Sequence, residues 1–140
     1  RDEDQSVSRV FTAKTAKSVR AMMETVIMKD GTAYEARVDG YTVAGKTGTA
    51  EKPGPNGYDP DKNITSFAAV FPASRPQFVV LVVLDEAQPR TGAQRTAAFT
   101  AAMIAGQVIA RAAPLLDLQP VLGSSSVEAA SLRGSEGTPE

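Results

Sequence analysis

The chain has 140 residues, of which 42% are hydrophobic and 22% charged, which is enough for one globular domain with a modest core. Fifteen basic and 16 acidic residues give a net charge of −1, so the sequence lacks the basic footprint of a nucleic-acid-binding or membrane-surface protein. Cysteine and histidine are both absent, which excludes disulfides, thiolate metal sites, a Ser-His-Asp triad and histidine-based zinc motifs within this chain.

A first helix is predicted to begin at a capping threonine, Thr12 or Thr15, and to run to about Lys29, with Gly31 ending it. Its apolar residues recur at helical spacing and form one stripe: Val19, Met22, Met23, Val26 and Ile27. We expect the stripe to cover the face of a sheet. A methionine-rich groove for a partner is the alternative.

Three strands are predicted next, after a polar connection that ends in the turn Asp39-Gly40: Tyr41–Lys52, Ile64–Pro72 and Phe78–Leu84. The prolines and glycines of residues 53–60 predict an irregular loop. The short turn at residues 74–76 predicts antiparallel pairing of the last two strands.

The third strand is an unbroken apolar run, which predicts burial on both faces. It is too apolar for an open edge, so we expect a further strand to pair with it, and the sequence offers no candidate for that strand. This indicates that the chain is part of a larger domain.

A second helix is predicted from a capping box, Thr91 with Gln94, to about Ala113, where Pro114 ends it. Gly106 is expected to allow this helix to approach a sheet closely. From residue 119 the composition turns to glycine, serine and glutamate, which predicts a flexible tail over 119–140 after a lobe at 1–118. The resulting fold class is α+β, with an antiparallel sheet of three strands flanked by helices.

Residues 40–47 match the phosphate-loop pattern G-x-x-x-x-G-K-[ST], and Asp85 follows an apolar strand as a magnesium-binding Asp would. The context contradicts this interpretation. No apolar strand precedes Gly40, the residues between the two glycines are strand formers, and Pro53 lies where a phosphate-binding helix would run. A nucleotide-binding protein therefore remains only a disfavoured alternative.

The other interpretation is a Lys-Thr-Gly strand at the rim of an acyl-transfer cleft. Lys46, Thr47 and Thr49 supply the cation and the hydroxyl donors that bind a carboxylate. Gly48 lets a substrate backbone lie along the strand edge, and a rim strand can aim a backbone N–H at a developing oxyanion. Without further context, Lys46 would be a solvated edge-strand lysine.

Several segments together resemble the C-terminal part of class B penicillin-binding proteins, and more specifically the division-septum peptidoglycan D,D-transpeptidases: Lys46-Thr-Gly-Thr-Ala50, Val19–Val26, Gly40-Tyr41 and the run from Phe71 to Val83. The likeness covers residues 8–118. It implies a penicillin-binding-protein/β-lactamase-like domain without a cofactor or metal. In that family the serine of a Ser-x-x-Lys motif attacks the D-Ala-D-Ala bond of a stem peptide, and the acyl group passes to an amine of a neighbouring stem. β-Lactams trap the same serine.

By this resemblance, Lys46 and Thr49 are catalytic: Lys46 contributes charge near the serine, and the backbone N–H of Thr49 is half of the oxyanion hole. Thr47, Gly48 and Thr49 bind substrate, with the two threonine hydroxyls on its carboxylate. The implied partners are the stem peptide, β-lactam antibiotics, the N-terminal part of the same domain and divisome proteins, with no nucleic acid.

The sequence departs from the family pattern in one respect that decides activity. None of its serines has a lysine three residues later, and no Ser-x-Asn occurs, so the nucleophile, its lysine and the second motif are absent. We expect the isolated chain to be inert and the parent enzyme to act on the periplasmic side of the inner membrane. Its anchor is expected outside this chain, because no apolar run has the length of a membrane span. A non-catalytic module that only binds or pairs is the alternative.

Overall fold

The computed structural model describes residues 8–87 and 100–121, apart from the side chain of Pro60. Within these residues the fold is α+β, as predicted, with one antiparallel sheet in the strand order β1-β2-β3. The elements in chain order are α1 (Ala13–Thr25), a short 3₁₀ helix (Tyr34–Ala36), β1 (Ala44–Gly54), β2 (Gly57–Phe71), β3 (Phe78–Asp85) and α2 (Ala101–Leu115).

Helix α1 begins at a threonine cap, as predicted. The side chain of Thr12 accepts a hydrogen bond from the Thr15 N–H at 3.1 Å. The helix ends at Thr25, before the predicted Lys29, because the chain then turns so that Ala33 N–H donates to the Val26 carbonyl at 2.9 Å. Gly31 is not the helix terminator. It is needed because a Cβ there would lie 2.2 Å from the Val26 carbonyl oxygen.

The apolar stripe of α1 covers the sheet less than predicted, since no residue within the helix is buried. Val19 and Met22 are exposed, whereas Ile27, just beyond the helix, is buried in the core and Val26 packs against it. Val19 and Met23 line a groove together with Val70 of β2, so the helical part of the stripe faces the sheet, as predicted, without being buried against it. Only the chain that follows α1 reaches the core.

Strand β1 begins at Ala44, three residues later than predicted. Residues 41–43 are instead held by contacts outside the sheet. The Tyr41 hydroxyl donates to the Leu118 carbonyl at 3.1 Å, and the Thr42 carbonyl accepts from the Ala73 N–H at 2.7 Å. Gly40 has φ +81°, which confirms the predicted turn into this segment.

The segment 53–60, predicted to be an irregular loop, is mostly β-structure, so that prediction was wrong. Gly54 and Gly57 pair across a two-residue turn, and Gly57 has φ +123°. Among the described strands β1 pairs only with β2, so Pro53 lies on an edge strand, where proline is tolerated. Pro60 lies on β2 opposite the register shift between Glu51 and Lys52.

Strand β3 alternates between partly buried and exposed residues, rather than being buried on both faces as predicted. Val80, Val82 and Leu84 pack against the core, whereas the intervening residues Val79, Leu81 and Val83 are exposed. The antiparallel pairing with β2 is confirmed. Within the described part of the chain β3 is an edge strand, so the further strand that we expected to pair with it stays a prediction.

Helix α2 runs from Ala101 to Leu115 and includes Pro114, which was predicted to end it. The helix ends one residue after Pro114, where the Leu116 N–H donates to the carbonyls of Ala112 and Ala113. The predicted capping box lies outside the described residues. Gly106 allows close approach to the 3₁₀ helix, not to the sheet, since a Cβ there would lie 3.1 Å from Ala36 Cα.

The core lies between α2 and one face of the sheet, with Phe67 and Ile109 as its largest fully buried apolar side chains. Residues 119–121 still contact the lobe, because the Val121 N–H donates to the Gly40 carbonyl at 2.8 Å. The boundary between a lobe at 1–118 and a flexible tail stays a prediction. In the described ranges, no helix combines the length and apolarity needed to cross a membrane.

Candidate active-site wall

The residues predicted to carry function all lie on β1, in a regular part of its pairing with β2. Lys46 pairs with Ala68, Thr47 with Phe67, Gly48 with Ser66 and Thr49 with Thr65. Strand structure continues from Lys46 to Gly54, so no helix N-terminus is available to bind a phosphate. This arrangement contradicts the phosphate-loop alternative and agrees with a Lys-Thr-Gly strand.

The side chains of this segment divide between the two faces of the sheet, because successive residues of a strand point to opposite sides. Thr47 and Thr49 share a face with their buried partners Phe67 and Thr65. Lys46 and Gly48 lie on the other face. The structure therefore places the two threonines together and sets the lysine on the opposite side of the same short segment.

Lys46 is exposed, and its Nζ donates to the Thr47 carbonyl at 2.6 Å. This bond folds the lysine back on its own strand. The two residues before it, Ala44 and Gly45, are buried, so the exposed site begins at Lys46 and continues to exposed Thr49. The strand therefore changes from buried to exposed at Lys46, the residue that carries the positive charge.

Strand β1 pairs only with β2 among the described strands. Alternate N–H and C=O groups of such an edge strand point away from the sheet. An extended ligand can therefore hydrogen-bond along β1 as an added strand while its carboxylate meets side chains of the same segment. This is the geometry that an acyl-transfer cleft needs in the wall that holds the substrate.

Two glycines in this segment serve different purposes. A Cβ on Gly45 would lie 2.3 Å from Cζ of the fully buried Phe67. A Cβ on Gly48 would instead lie 2.6 Å from the Ser66 hydroxyl, which can rotate away. Gly45 is therefore required for core packing. Gly48 leaves the surface beside Lys46 and Thr49 free of an intervening side chain.

Sequence reasoning missed an ion-pair cluster at the far end of β1. Lys52 Nζ donates to Asp85 Oδ1 and, at 2.9 Å, to Glu86 Oε1. The hydrogen bond to Asp85, followed by the one to Glu86, raises the pKa of Lys52. The cluster connects β1 to the end of β3 across β2. The only sequence signal was the acidic pair that ends an apolar strand.

A second missed feature is a buried pair of hydroxyls beneath the site. Thr65, the cross-strand neighbour of Thr49, shares a hydrogen bond of 3.0 Å with Thr100 at the start of α2. Both threonines are buried. The pair ties α2 to the strand behind Thr49. Its two members are 35 positions apart, so no local pattern could have identified it.

The described residues contain no group of three or more histidine, cysteine, aspartate and glutamate side chains that could hold a metal ion. The chemistry that this wall can perform is binding: the two hydroxyls on one face and the outward backbone groups suit a carboxylate on an extended chain, while the lysine adds positive charge on the other face. No Ser-x-x-Lys sequence occurs in the 140 residues to add a nucleophile of the expected kind.

Comparison with known proteins identifies the family to which this chain is similar. Residues 1–105 match the family described as the penicillin binding protein transpeptidase domain. Over 79 residues the chain is 48% identical to the peptidoglycan D,D-transpeptidase FtsI homolog of Chlorokybus atmophyticus. That alignment covers 56% of this chain and 12% of the relative, so the chain spans about an eighth of the relative's length.

Solved structures agree with this match. The transpeptidase domain of Burkholderia pseudomallei penicillin-binding protein 3 superposes with a TM-score of 0.72 at 36% identity, covering 81% of this chain and 33% of that one. Penicillin-binding protein 3 of Mycobacterium tuberculosis in complex with ampicillin gives a TM-score of 0.70 at 29% identity, covering 83% and 27%. In each case the likeness includes most of this chain and a third or less of the solved one.

Proposed function

Because the chain belongs to the penicillin-binding protein transpeptidase family, we propose that it is the C-terminal lobe of a serine D,D-transpeptidase that cross-links peptidoglycan stem peptides during septal cell-wall synthesis. The observation that carries this proposal is the position of Lys46, Thr47, Gly48 and Thr49 on an edge strand. There a peptide can add alongside β1 and place its carboxylate against the threonine hydroxyls.

In the proposed mechanism, the lobe binds the acyl donor and stabilises charge. Thr47 and Thr49 hold the donor's terminal carboxylate through their hydroxyls. The Thr49 N–H donates to the oxygen that becomes negative when the carbonyl is attacked, and such a donor contributes about 10²–10³ in rate. Lys46 supplies positive charge beside the attacking serine. The serine oxygen forms a bond to the carbonyl carbon, the peptide C–N bond breaks, and D-alanine leaves with the proton that the serine hydroxyl gave up. An amine of a neighbouring stem then forms a bond to the same carbon, the ester bond to serine breaks, and the amine's proton returns to the serine oxygen.

The nucleophile belongs to the part of the proposed enzyme that this chain does not contain. Two observations support this: the chain has no Ser-x-x-Lys or Ser-x-Asn, and it spans 33% of a solved transpeptidase domain. The proposed enzyme acts on the periplasmic side of the inner membrane, anchored outside this chain, with divisome proteins as its partners. β-Lactams are its expected inhibitors, as the ampicillin complex of a relative suggests.

Acylation of the full-length protein by a fluorescent penicillin tests these roles. We expect Lys46→Ala to lower the second-order acylation rate by about 100-fold or more, since it removes charge at the site of reaction. Thr49→Val should lower it by about tenfold, because one hydroxyl to the carboxylate is lost. Lys62→Ala is the control, since Lys62 is also an exposed strand lysine but lies on β2. Equal losses in all three variants would contradict the proposal.

A further inference from the structure

A shallow groove continues from Thr49 towards the tip of the β1–β2 hairpin. It has a volume of about 430 Å³, and its walls are Thr49, Ala50, Glu51 and Tyr58. Glu51 pairs with Asn63 in the same uninterrupted register as Thr49 with Thr65, so Thr47, Thr49 and Glu51 lie on one face. Two residues along a strand span roughly 7 Å. A carboxylate therefore lies in the groove one such step beyond the hydroxyls proposed to bind the substrate.

The charges at this end of the sheet favour a cation. The described residues at this end of the sheet carry five carboxylates and two lysines: Glu51, Asp59, Asp61, Asp85 and Glu86, with Lys52 and Lys62. Lys52 already contacts Asp85 and Glu86, and Lys62 lies 4.0 Å from Asp59. Glu51 forms no ion pair within the part of the chain that the structure describes. Its exposed carboxylate is therefore available to pair with a cationic ligand.

Tyr58 supplies a second group that suits a cation. Its side chain is 74% exposed although it is large and aromatic, and the face of such a ring attracts an ammonium group. It pairs with Pro53 on β1, and it lines the groove together with Glu51. An exposed aromatic side chain and a carboxylate that line one groove are an arrangement that suits an amine.

We propose that Glu51 and Tyr58 form a specificity subsite for a protonated amine on the acyl donor, one step along β1 from the donor's carboxylate at Thr49. This inference rests on the proposed function, since it takes Thr49 as the carboxylate site. It predicts that the enzyme prefers zwitterionic donors, with a carboxylate and a primary amine, over donors that carry the carboxylate alone.

The test compares two penicillins that differ by one amine, ampicillin and benzylpenicillin, as acylating agents of the full-length protein. The assay runs below pH 7, where an α-amino group is protonated. We expect Glu51→Gln to lower the ratio of the ampicillin rate to the benzylpenicillin rate by about two- to fivefold, the range of an exposed ion pair. Glu51→Lys should lower it further, and raised salt should shrink the wild-type preference.

Controls separate this subsite from general charge effects. Glu35→Gln makes the same chemical change at an exposed position on the 3₁₀ helix and should leave the ratio unchanged. Tyr58→Phe should keep the preference, while Tyr58→Leu should reduce it, because only the ring face attracts the cation.

The outcomes distinguish this inference from the proposed function. Failure of both penicillins to acylate the full-length protein would overturn the proposed function, and the subsite with it. Acylation with a ratio that Glu51→Gln leaves unchanged would overturn the subsite alone. An equal change in Glu35→Gln would also overturn it, because the preference would then reflect net charge.

Discussion

Gly45 and Gly48 show how neighbouring glycines in one strand can serve packing and function separately. Gly45 faces the ring of Phe67, which is 0% exposed and packed within the core. Gly48 faces a hydroxyl that can rotate about one bond. The two positions therefore give a matched pair of Gly→Ala substitutions within the same strand.

We expect Gly45→Ala to lower the free energy of unfolding by about 1–3 kcal/mol, the cost of forcing an extra methyl group into a packed core. Gly48→Ala should cost clearly less, because only the Ser66 hydroxyl has to give way. Urea unfolding of the two variants and the wild type measures both values. Equal losses would show that Phe67 does not pack against Gly45 as described.

Lys52 gives a pH-dependent prediction at the same scale. Its pKa is raised in the folded state by Asp85 and Glu86, so the folded chain holds this proton more tightly than the unfolded chain does. The contribution to stability is complete below the ordinary lysine value of about 10.4 and is lost as the pH rises through the higher folded-state pKa. We expect Lys52→Gln to be less stable than wild type at pH 8, with the difference shrinking towards pH 11.5.

Thermal unfolding of both proteins across that pH range checks this behaviour. Lys62→Gln serves as the comparison, since Lys62 lies at the longer distance of 4.0 Å from Asp59. It should show a smaller difference from wild type at pH 8. A Lys52→Gln difference that stays constant or widens above pH 10.4 would contradict the ion-pair cluster.

At the scale of the elements, β3 is the strand whose apolar side chains are least covered by the rest of the described structure. One of its faces packs against the core, while Val79, Leu81 and Val83 are exposed on the other. It is also the last strand of the described sheet. An exposed apolar edge strand promotes association with other chains.

We therefore expect the isolated chain to self-associate through β3, and Leu81→Lys to reduce this association by placing a charge on the exposed strand. Met22→Lys is the matched control, because Met22 and Leu81 are both 62% exposed but Met22 lies on α1. Sedimentation velocity measures the effect. A wild-type monomer, or equal effects of the two variants, would argue against β3 as the surface that associates.

The elements also show what could be read from the sequence. The strand at Lys46-Thr47 followed from strand-forming neighbours, and the structure has it there. The prediction for segment 53–60 was wrong because proline in a local sequence window indicates a break in a strand. In the described sheet Pro53 lies on an edge strand and Pro60 beside a register shift, where a strand can include proline. The Lys52 cluster and the Thr65–Thr100 pair join distant parts of the chain, and such contacts leave no local pattern.

At the scale of the whole molecule, the chain is a folded lobe that carries one wall of a proposed active site. Its core lies between α2 and the sheet, and β1 presents Lys46 and Thr49 at the surface. The lobe matches a transpeptidase domain of which it spans about a third. The catalytic assignments of Lys46 and Thr49 rest on this likeness and on the open edge of β1.

In the proposed enzyme, this lobe binds the acyl donor while a serine elsewhere attacks it. The most direct test is to treat the isolated chain and the full-length protein with fluorescent penicillin and to locate the adduct by peptide mass spectrometry. We expect no adduct on the isolated chain and, in the full-length protein, one adduct on a serine outside these 140 residues. An adduct on any residue of this chain, or none on the full-length protein, would contradict this division of roles.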